Sequence, residues 1–322
     1  MADMSASLAW FRMPNPVLTA SGCAAAGREL HQFFDVAQLG AVVTKSIMTR
    51  PRSGRPTPRM AETPSGMLNS IGLQGPGIES FIDNDLDWLA RQGARTVVSI
   101  AGGHTDEFVE LARRLRGNPA VHMIEVNISC PNVENRGQVF ACDAIASSRV
   151  IGAVRRAADP AVPVFAKLSP DVTDITLIAR ACAEAGADGF SLINTLLGMV
   201  IDTDTMAPAL GGVTGGLSGP AIRPVAVRCV WQVHQALPHL PILGMGGIRS
   251  GLDALQFILA GASAVSVGTA VFGDPDAPVR VLAELERALD ERGFASLADA
   301  VGQAHRAPER RLAPSAAEAG AG

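Results

Sequence analysis

No two cysteines in this 322-residue chain are spaced as CxxC, and the five present (Cys23, Cys130, Cys142, Cys182, Cys229) are scattered and odd in number. That distribution argues against a disulfide framework, a zinc site or an iron–sulfur cluster within the chain. The six histidines show no metal-ligand spacing either, and no metal is expected. The opening MADMSASLAWFRMPNP lacks a basic segment followed by an apolar stretch, so it does not read as a secretory signal. No run reaches the roughly eighteen apolar residues that a membrane span needs. An excess of charge of one sign is also missing. The 27 basic and 31 acidic residues give a net charge of −4 and are mixed along the chain, so no nucleic-acid or membrane surface is expected. GxGxxG and P-loop motifs are absent, which leaves no dinucleotide clamp or nucleoside-triphosphate site. The expectation is a cytoplasmic enzyme with reduced thiols.

What is present is a core and a rhythm. Hydrophobic residues make up 48% of the chain and charged residues 18%, enough to bury a large interior. Short β-branched runs alternate with longer amphipathic stretches, the pattern of parallel strands joined by helices. Strands are predicted at Pro16–Ala20, Ala41–Lys45, Thr96–Ala101, Met123–Ile128, Val164–Lys167, Gly189–Ile193, Ile242–Gly244 and Ala264–Gly268. Helices are predicted near Glu29–Leu39, Phe81–Gln92, Asp106–Arg116, Ser147–Ala157, Asp174–Ala185, Ala221–Ala236, Leu252–Ala260 and Pro278–Arg292. Thr105 and Asp174 are placed to start helices, and Gly93, Gly186 and Gly261 to end them. Eight repeats favour an α/β fold of the (β/α)8 TIM-barrel type, with an open doubly wound sheet as the alternative. One domain is expected over residues 1–312, followed by a disordered tail at 313–322.

Three connections are too long for simple turns: Ser46–Gly77, Pro131–Ala146 and Thr195–Gly219. Each follows the C-terminal end of a strand, the face on which barrels build their sites. The basic run Thr49–Arg59 within the first of them reads most economically as a solvated loop.

The strongest local signal is EVNISCPN, Glu125–Asn132. An apolar strand ends by presenting Asn127, Ser129, Cys130 and Asn132, with Asn127 and Ser129 expected on one face. A thiol at a strand's mouth can serve as base or nucleophile when its pKa is lowered, whereas most cysteines simply pack. The setting selects Cys130, and the other four are assigned to packing. Lys45 and Lys167 each close an apolar strand, giving two ammonium groups that converge at the rim and suit an anionic substrate or reduced cofactor. Gly244, Gly246 and Gly247 after the seventh strand, and Gly268 and Thr269 after the eighth, mark a phosphate site built on backbone N–H groups. SGMLNSIGLQGPG, Ser65–Gly77, brings Asn69 and several amides over a ligand, and INTLLGM places Asn194 and Thr195 at the sixth strand's end. Both Asn stretches also suit ordinary turns.

TKS, MLNSIGLQGPG, EVNISCPN, FAKLSP, INTLLGM, GGLSGPAI, GMGGI and VGTA, in that order from about Asn15 to Asp274, resemble the class 1 dihydroorotate dehydrogenases, most closely the class 1B catalytic subunit. The resemblance implies an FMN-containing barrel that oxidises dihydroorotate to orotate. It casts Cys130 as the base at C5 while hydride passes from C6 to the flavin. It assigns Asn69, Asn127, Asn132, Asn194 and Thr195 to the pyrimidine, the backbone of Ile71, Gly72 and Leu73 to its carboxylate, and Lys45 to flavin and substrate both. Lys167 falls beside the flavin ring. Ser21, Ser46, Ser99, Asn127, Ile193, Gly219, Gly246, Gly247, Gly268 and Thr269 match FMN contacts. Two positions depart from the family: Gly75 stands where GLQNPG has Asn, and Ser99 where Asn is usual. The likeness also implies a homodimer and a second subunit carrying FAD and a 2Fe–2S cluster. Two other readings are a dihydropyrimidine dehydrogenase-type FMN subunit and a flavin-free barrel that binds a phosphorylated ligand.

Overall fold

In the computed structural model, which describes residues 1–129 and 139–306, all eight expected strands lie in one parallel sheet. They are β1 (Val17–Thr19), β2 (Val42–Val43), β3 (Thr96–Ile100), β4 (Met123–Asn127), β5 (Val164–Leu168), β6 (Gly189–Leu192), β7 (Ile242–Met245) and β8 (Ala264–Val267). Each pairs with its sequence neighbours, and β8 pairs with β1, so the order runs continuously round a ring. The remaining seam, β1 to β2, closes through a parallel bridge between Leu18 and Ala41. β2 is short, and a side chain completes the ladder there. Val43 N donates to Thr19 Oγ1 (2.8 Å), and Thr19 Oγ1 donates to Val43 O (3.2 Å). The chain is therefore a (β/α)8 barrel, as its alternating pattern predicts.

The strands are buried on both faces, which is why they read as near-continuous Val, Ile, Ala and Phe runs. The helices outside follow from one-sided apolar spacing. Thr105–Leu115, for example, buries Phe108, Leu111, Ala112 and Leu115 at i, i+3, i+4 and i+7. Asp174 caps the helix Ile175–Glu184 by accepting from Thr176 N, and Gly93, Gly186 and Gly261 end their helices at positive φ. His104, not Thr105, is the N-cap of the next outer helix, whose first residue is Thr105.

One expected helix does not form. Glu29–Leu39 is instead two single 3-10 turns, Leu30–Gln32 and Val36–Gln38, the second capped by Asp35 through Ala37 N. The spacing of Leu30, Phe33, Phe34 and Leu39 imitates a helical face, but Phe33 points to solvent, 59% exposed.

A hairpin, Ala6–Leu8 with Phe11–Met13, precedes the barrel. Trp10 Nε1 donates to Ala161 O (2.6 Å) and the Phe11 ring packs at a tilt against His122, both partners lying just upstream of strand N-termini, so this hairpin covers the bottom of the barrel. The opposite end carries a lid. Met60–Thr63 and Gly66–Asn69 form a hairpin within the first long connection. Gly66–Asn69 pairs with Gly215–Ser218 of the third connection, and that strand pairs with Leu196–Gly198. Two connections expected as loops thus share one four-stranded antiparallel sheet. The basic run is not simply solvated. Arg59 donates to Gln74 Oε1 (2.7 Å) and Ser53 O, and Arg55 donates to Ser70 Oγ, tying the run to the lid. The second long connection lies mostly outside the described residues, as does the expected tail. No helix among the described residues is long and apolar enough to cross a membrane.

Candidate active site

Strand C-termini and the lid enclose a cleft. It is lined by Ser21 beyond β1, Lys167 of β5, Ile193, Asn194 and Thr195 beyond β6, Gly219 before the following helix, Gly246 and Gly247 beyond β7, and Gly268 and Thr269 beyond β8. Ten of the residues singled out in the sequence therefore meet at one rim.

The glycines have geometric reasons. Gly246 and Gly247 hold φ values of +130° and +78°, which side-chain-bearing residues rarely adopt. At Gly268 an added Cβ would stand 3.0 Å from Ala20 Cβ and 3.2 Å from Cys23 Sγ. The rim here is bare backbone with its N–H groups available, the type of surface that cradles a phosphate. Thr269 Oγ1 donates to Ser218 Oγ (2.8 Å), which links this end to the lid.

A polar network crosses the mouth beside the cleft. Ser46 Oγ lies 2.9 Å from Ser99 Oγ and 3.2 Å from Ser21 Oγ, and Ser21 Oγ donates to Ser99 Oγ (3.3 Å). Asn127 Nδ2 donates to Ser46 Oγ (3.0 Å), and Asn194 Nδ2 donates to Asn127 Oδ1 (3.2 Å). Five strand ends are joined through side chains that can both give and accept hydrogen bonds. Ser99 completes the hydroxyl triangle. Ser129 does not share a face with Asn127: the strand has ended, and Ser129 N donates back to Asn127 Oδ1 (3.2 Å).

Lys167 is 4% exposed and its Nζ donates to Oε1 of Glu125, fully buried on β4, at 3.3 Å. Lys45 follows β2 with its Nζ 3.5 Å from the Cβ position of Gly22. Both lysines influence Cys23. Burial pushes that thiol up to about 11, while the charges of Lys167 and Lys45 pull it down. The chain contains only these two lysines.

Some expected residues stand apart from the cleft. Asn69 belongs to the lid strand, and its Nδ2 donates to Gly216 O (3.3 Å). Ile71, Gly72 (φ +78°) and Leu73 (φ +55°) form the turn after it. Ile71 O accepts from Arg55 N (3.0 Å), and Leu73 packs on Met48 and Ala101. Lys45 borders a neighbouring cavity with Arg52 and Gly75, where the missing side chain leaves open space. Cys130 and Asn132 lie outside the described residues. Sequence reasoning missed Cys23, Ser218 and Arg249, which all line the cleft. Each follows a strand end or precedes a helix by a few residues, the one signal that pointed to them. No group of three or more His, Cys, Asp or Glu among the described residues is arranged to hold a metal.

The cleft fits a flavin mononucleotide in three respects: a bare glycine-lined end for a phosphate, a buried amine on one wall, and amide and hydroxyl side chains for a ring with several carbonyls.

The dihydroorotate dehydrogenase family model matches residues 4–289. Among curated relatives, the Pelobacter propionicus protein named dihydroorotate dehydrogenase B (NAD(+)), catalytic subunit, is 51% identical over 300 residues, covering 93% of this chain and 98% of its own. The Desulforudis audaxviator protein of the same name is also 51% identical, covering 93% of this chain and 97% of its own. A Geobacillus relative, again of that name, is 45% identical over 312 residues and covers 97% and 99% of the two chains. With its motifs gathered at one barrel rim and this likeness along nearly its whole length, the chain belongs to the dihydroorotate dehydrogenase family, class 1B.

Proposed function

We propose that this protein oxidises dihydroorotate to orotate with FMN as its cofactor, in pyrimidine biosynthesis. The observation that carries the reading is Lys167, an amine buried in the wall of a glycine-lined cleft whose mouth is crossed by Asn127 and Asn194. A bound FMN would supply hydride acceptance at the substrate's C6, chemistry that no side chain provides.

The chain's own residues do the rest. Gly246, Gly247, Gly268 and Thr269 hold the phosphate through backbone N–H groups, with Ser21, Ser46, Ser99, Ile193 and Gly219 around the ring. Asn127, Asn194 and Thr195 read the pyrimidine edge, since an amide offers donor and acceptor together. Asn69, Asn132 and the turn Ile71–Gly72–Leu73 complete that recognition when the lid is over substrate. Lys45 and Lys167 supply fixed positive charge for the substrate carboxylate and for the reduced cofactor. Cys130 Sγ takes the proton from C5. A thiolate serves there because its proton affinity suits neutral pH better than a serine hydroxyl's.

The relatives' shared name, with its NAD(+) and its "catalytic subunit", supports a second subunit that passes electrons to NAD. We assign FAD and a 2Fe–2S cluster to that subunit and a homodimer to this one, on the family resemblance. The barrel domain is taken to run over residues 1–312.

The test is turnover of the purified, FMN-loaded protein with a dye acceptor, on dihydroorotate and on dihydrouracil. Turnover of dihydroorotate is expected. Turnover of dihydrouracil alone, or a preparation that cannot be loaded with FMN, would defeat the reading.

A further inference from the structure

Among the described residues, Glu125 is the one buried acid inside the barrel that the reaction above does not use. It sits two residues before Asn127 on β4, fully buried, and does not border the cleft. In the parallel register Asn127 lies beside Lys167, and Glu125 lies beside Phe165, so Glu125 is one layer deeper than the amine. Its Oε1 accepts from Lys167 Nζ at 3.3 Å, and its Oε2 has no hydrogen-bond partner among the described residues.

A buried carboxylate with an unsatisfied oxygen costs stability unless a fixed positive charge offsets it. A Glu in this layer is therefore a poor choice for packing, and a neutral side chain of similar size would serve a purely structural barrel better. The arrangement is asymmetric as well. Among the described residues Glu125 is the only side chain that bonds the ammonium, whereas Lys167 also faces the cleft. The choice of lysine is selective too: of the 27 basic residues only two are lysines, and the rest are arginines. One carboxylate oxygen can hold a compact ammonium, but it would leave most donors of a buried guanidinium unpaired.

We propose that Glu125 is the positioning residue for Lys167: from beneath the cleft it holds the amine in place and aimed at the cofactor's ring. This inference rests on the FMN reading above. Without Glu125, the amine loses the side chain that holds it and turns away, which withdraws positive charge from the ring.

Four variants test it: Glu125→Leu, Glu125→Gln, Lys167→Met and the double Glu125→Leu/Lys167→Met. The measurements are the melting temperature of the cofactor-free protein, the affinity for FMN and the midpoint potential of the bound flavin. Glu125→Leu should lower the equilibrium constant for flavin reduction about tenfold, which is about 30 mV for a two-electron couple. Glu125→Gln keeps an acceptor oxygen in place and should retain most of the parent's value. The double variant should match Lys167→Met in potential, because Glu125 acts through the lysine, and should melt above both single variants, since neither charge is then left buried alone.

A Glu125→Leu protein with the parent's potential, or a double variant whose losses in potential are the sum of the two singles, would overturn the proposal. If Glu125→Leu does not fold, Glu125→Asp replaces it. Its carboxylate is one methylene shorter, so a lowered potential supports the proposal and an unchanged one refutes it. Failure of the parent to bind FMN would count against the functional reading. A parent that binds FMN normally beside unaltered Glu125 variants would count against this inference alone.

Discussion

Asn127→Ala is the most informative single change at the mouth of the barrel. The side chain donates to Ser46 Oγ (3.0 Å) and accepts from Asn194 Nδ2 and Ser129 N (both 3.2 Å). At about 0.5–1.5 kcal/mol per hydrogen bond, and with partial exposure favouring the low end, losing all three costs about 2–3 kcal/mol. For a chain of this size roughly 2 °C is lost per kcal/mol, so the melting temperature should fall by about 5 °C. Asn127→Asp separates geometry from charge. Its oxygen still accepts from Asn194 and Ser129, and only the donation to Ser46 is lost, about 1 kcal/mol of stability. It adds a negative charge where an anionic pyrimidine is to bind, and should raise the KM for dihydroorotate by roughly tenfold or more, each factor of ten being about 1.4 kcal/mol. Melting curves followed by flavin fluorescence and steady-state kinetics with a dye acceptor make the comparison. An alanine variant that melts within 1 °C of the parent, or an aspartate variant with the parent's KM (~1-fold change), would refute the role given to this network.

Other perturbations have equally definite outcomes. Gly268→Val forces a side chain against Ala20 and Cys23 and onto a backbone conformation (φ −115°, ψ −102°) outside the common regions, so FMN occupancy should drop; full occupancy would show that the cradle tolerates bulk. Burial, followed by the nearby His305 and Arg306 charges, holds His234 below the ordinary imidazole value of 6.5, and the folded protein binds this proton less readily than the unfolded chain. That contribution is complete above pH 6.5 and is lost as pH falls below it, so the melting temperature should decline from pH 7 to pH 5, less steeply in His234→Leu. Burial raises the Cys23 and Cys182 thiols to about 11 and about 12, so both should resist alkylation at pH 8 in the native state and react once unfolded, as peptide mass spectrometry would show. Cys130→Ser should keep bound flavin yet lose most turnover near neutral pH; unchanged turnover would remove Cys130 from the reaction.

The barrel was legible because its signals are local. Each strand is a short run buried on both faces, and the predicted ends fall within about two residues of the observed ones, where fraying alone introduces that much ambiguity. The placement of Lys167, Asn127 and Asn194 at the barrel's mouth was legible for the same reason: position on a barrel strand fixes the face a side chain meets. The lid was not. Its strands are three or four residues long and join Met67 to Ser218, a pairing that no local pattern encodes. The turns of Leu30–Gln32 and Val36–Gln38 were misread because apolar spacing shows which residues pack, not whether the backbone between them stays helical. Cys23 was passed over because it follows its strand by a turn, where sequence alone does not show which way a thiol points.

The lid's sheet carries a consequence for anyone exchanging parts among relatives. Because Gly66–Asn69 and Gly215–Ser218 share a register, neither segment is a module: a graft of one that shifts by a single position would invert which side chains look inward on the other. At Gly66, moreover, an added methyl would collide with the carbonyl of Ser218. Chimeras that swap both segments together should assemble, and those that swap one should not.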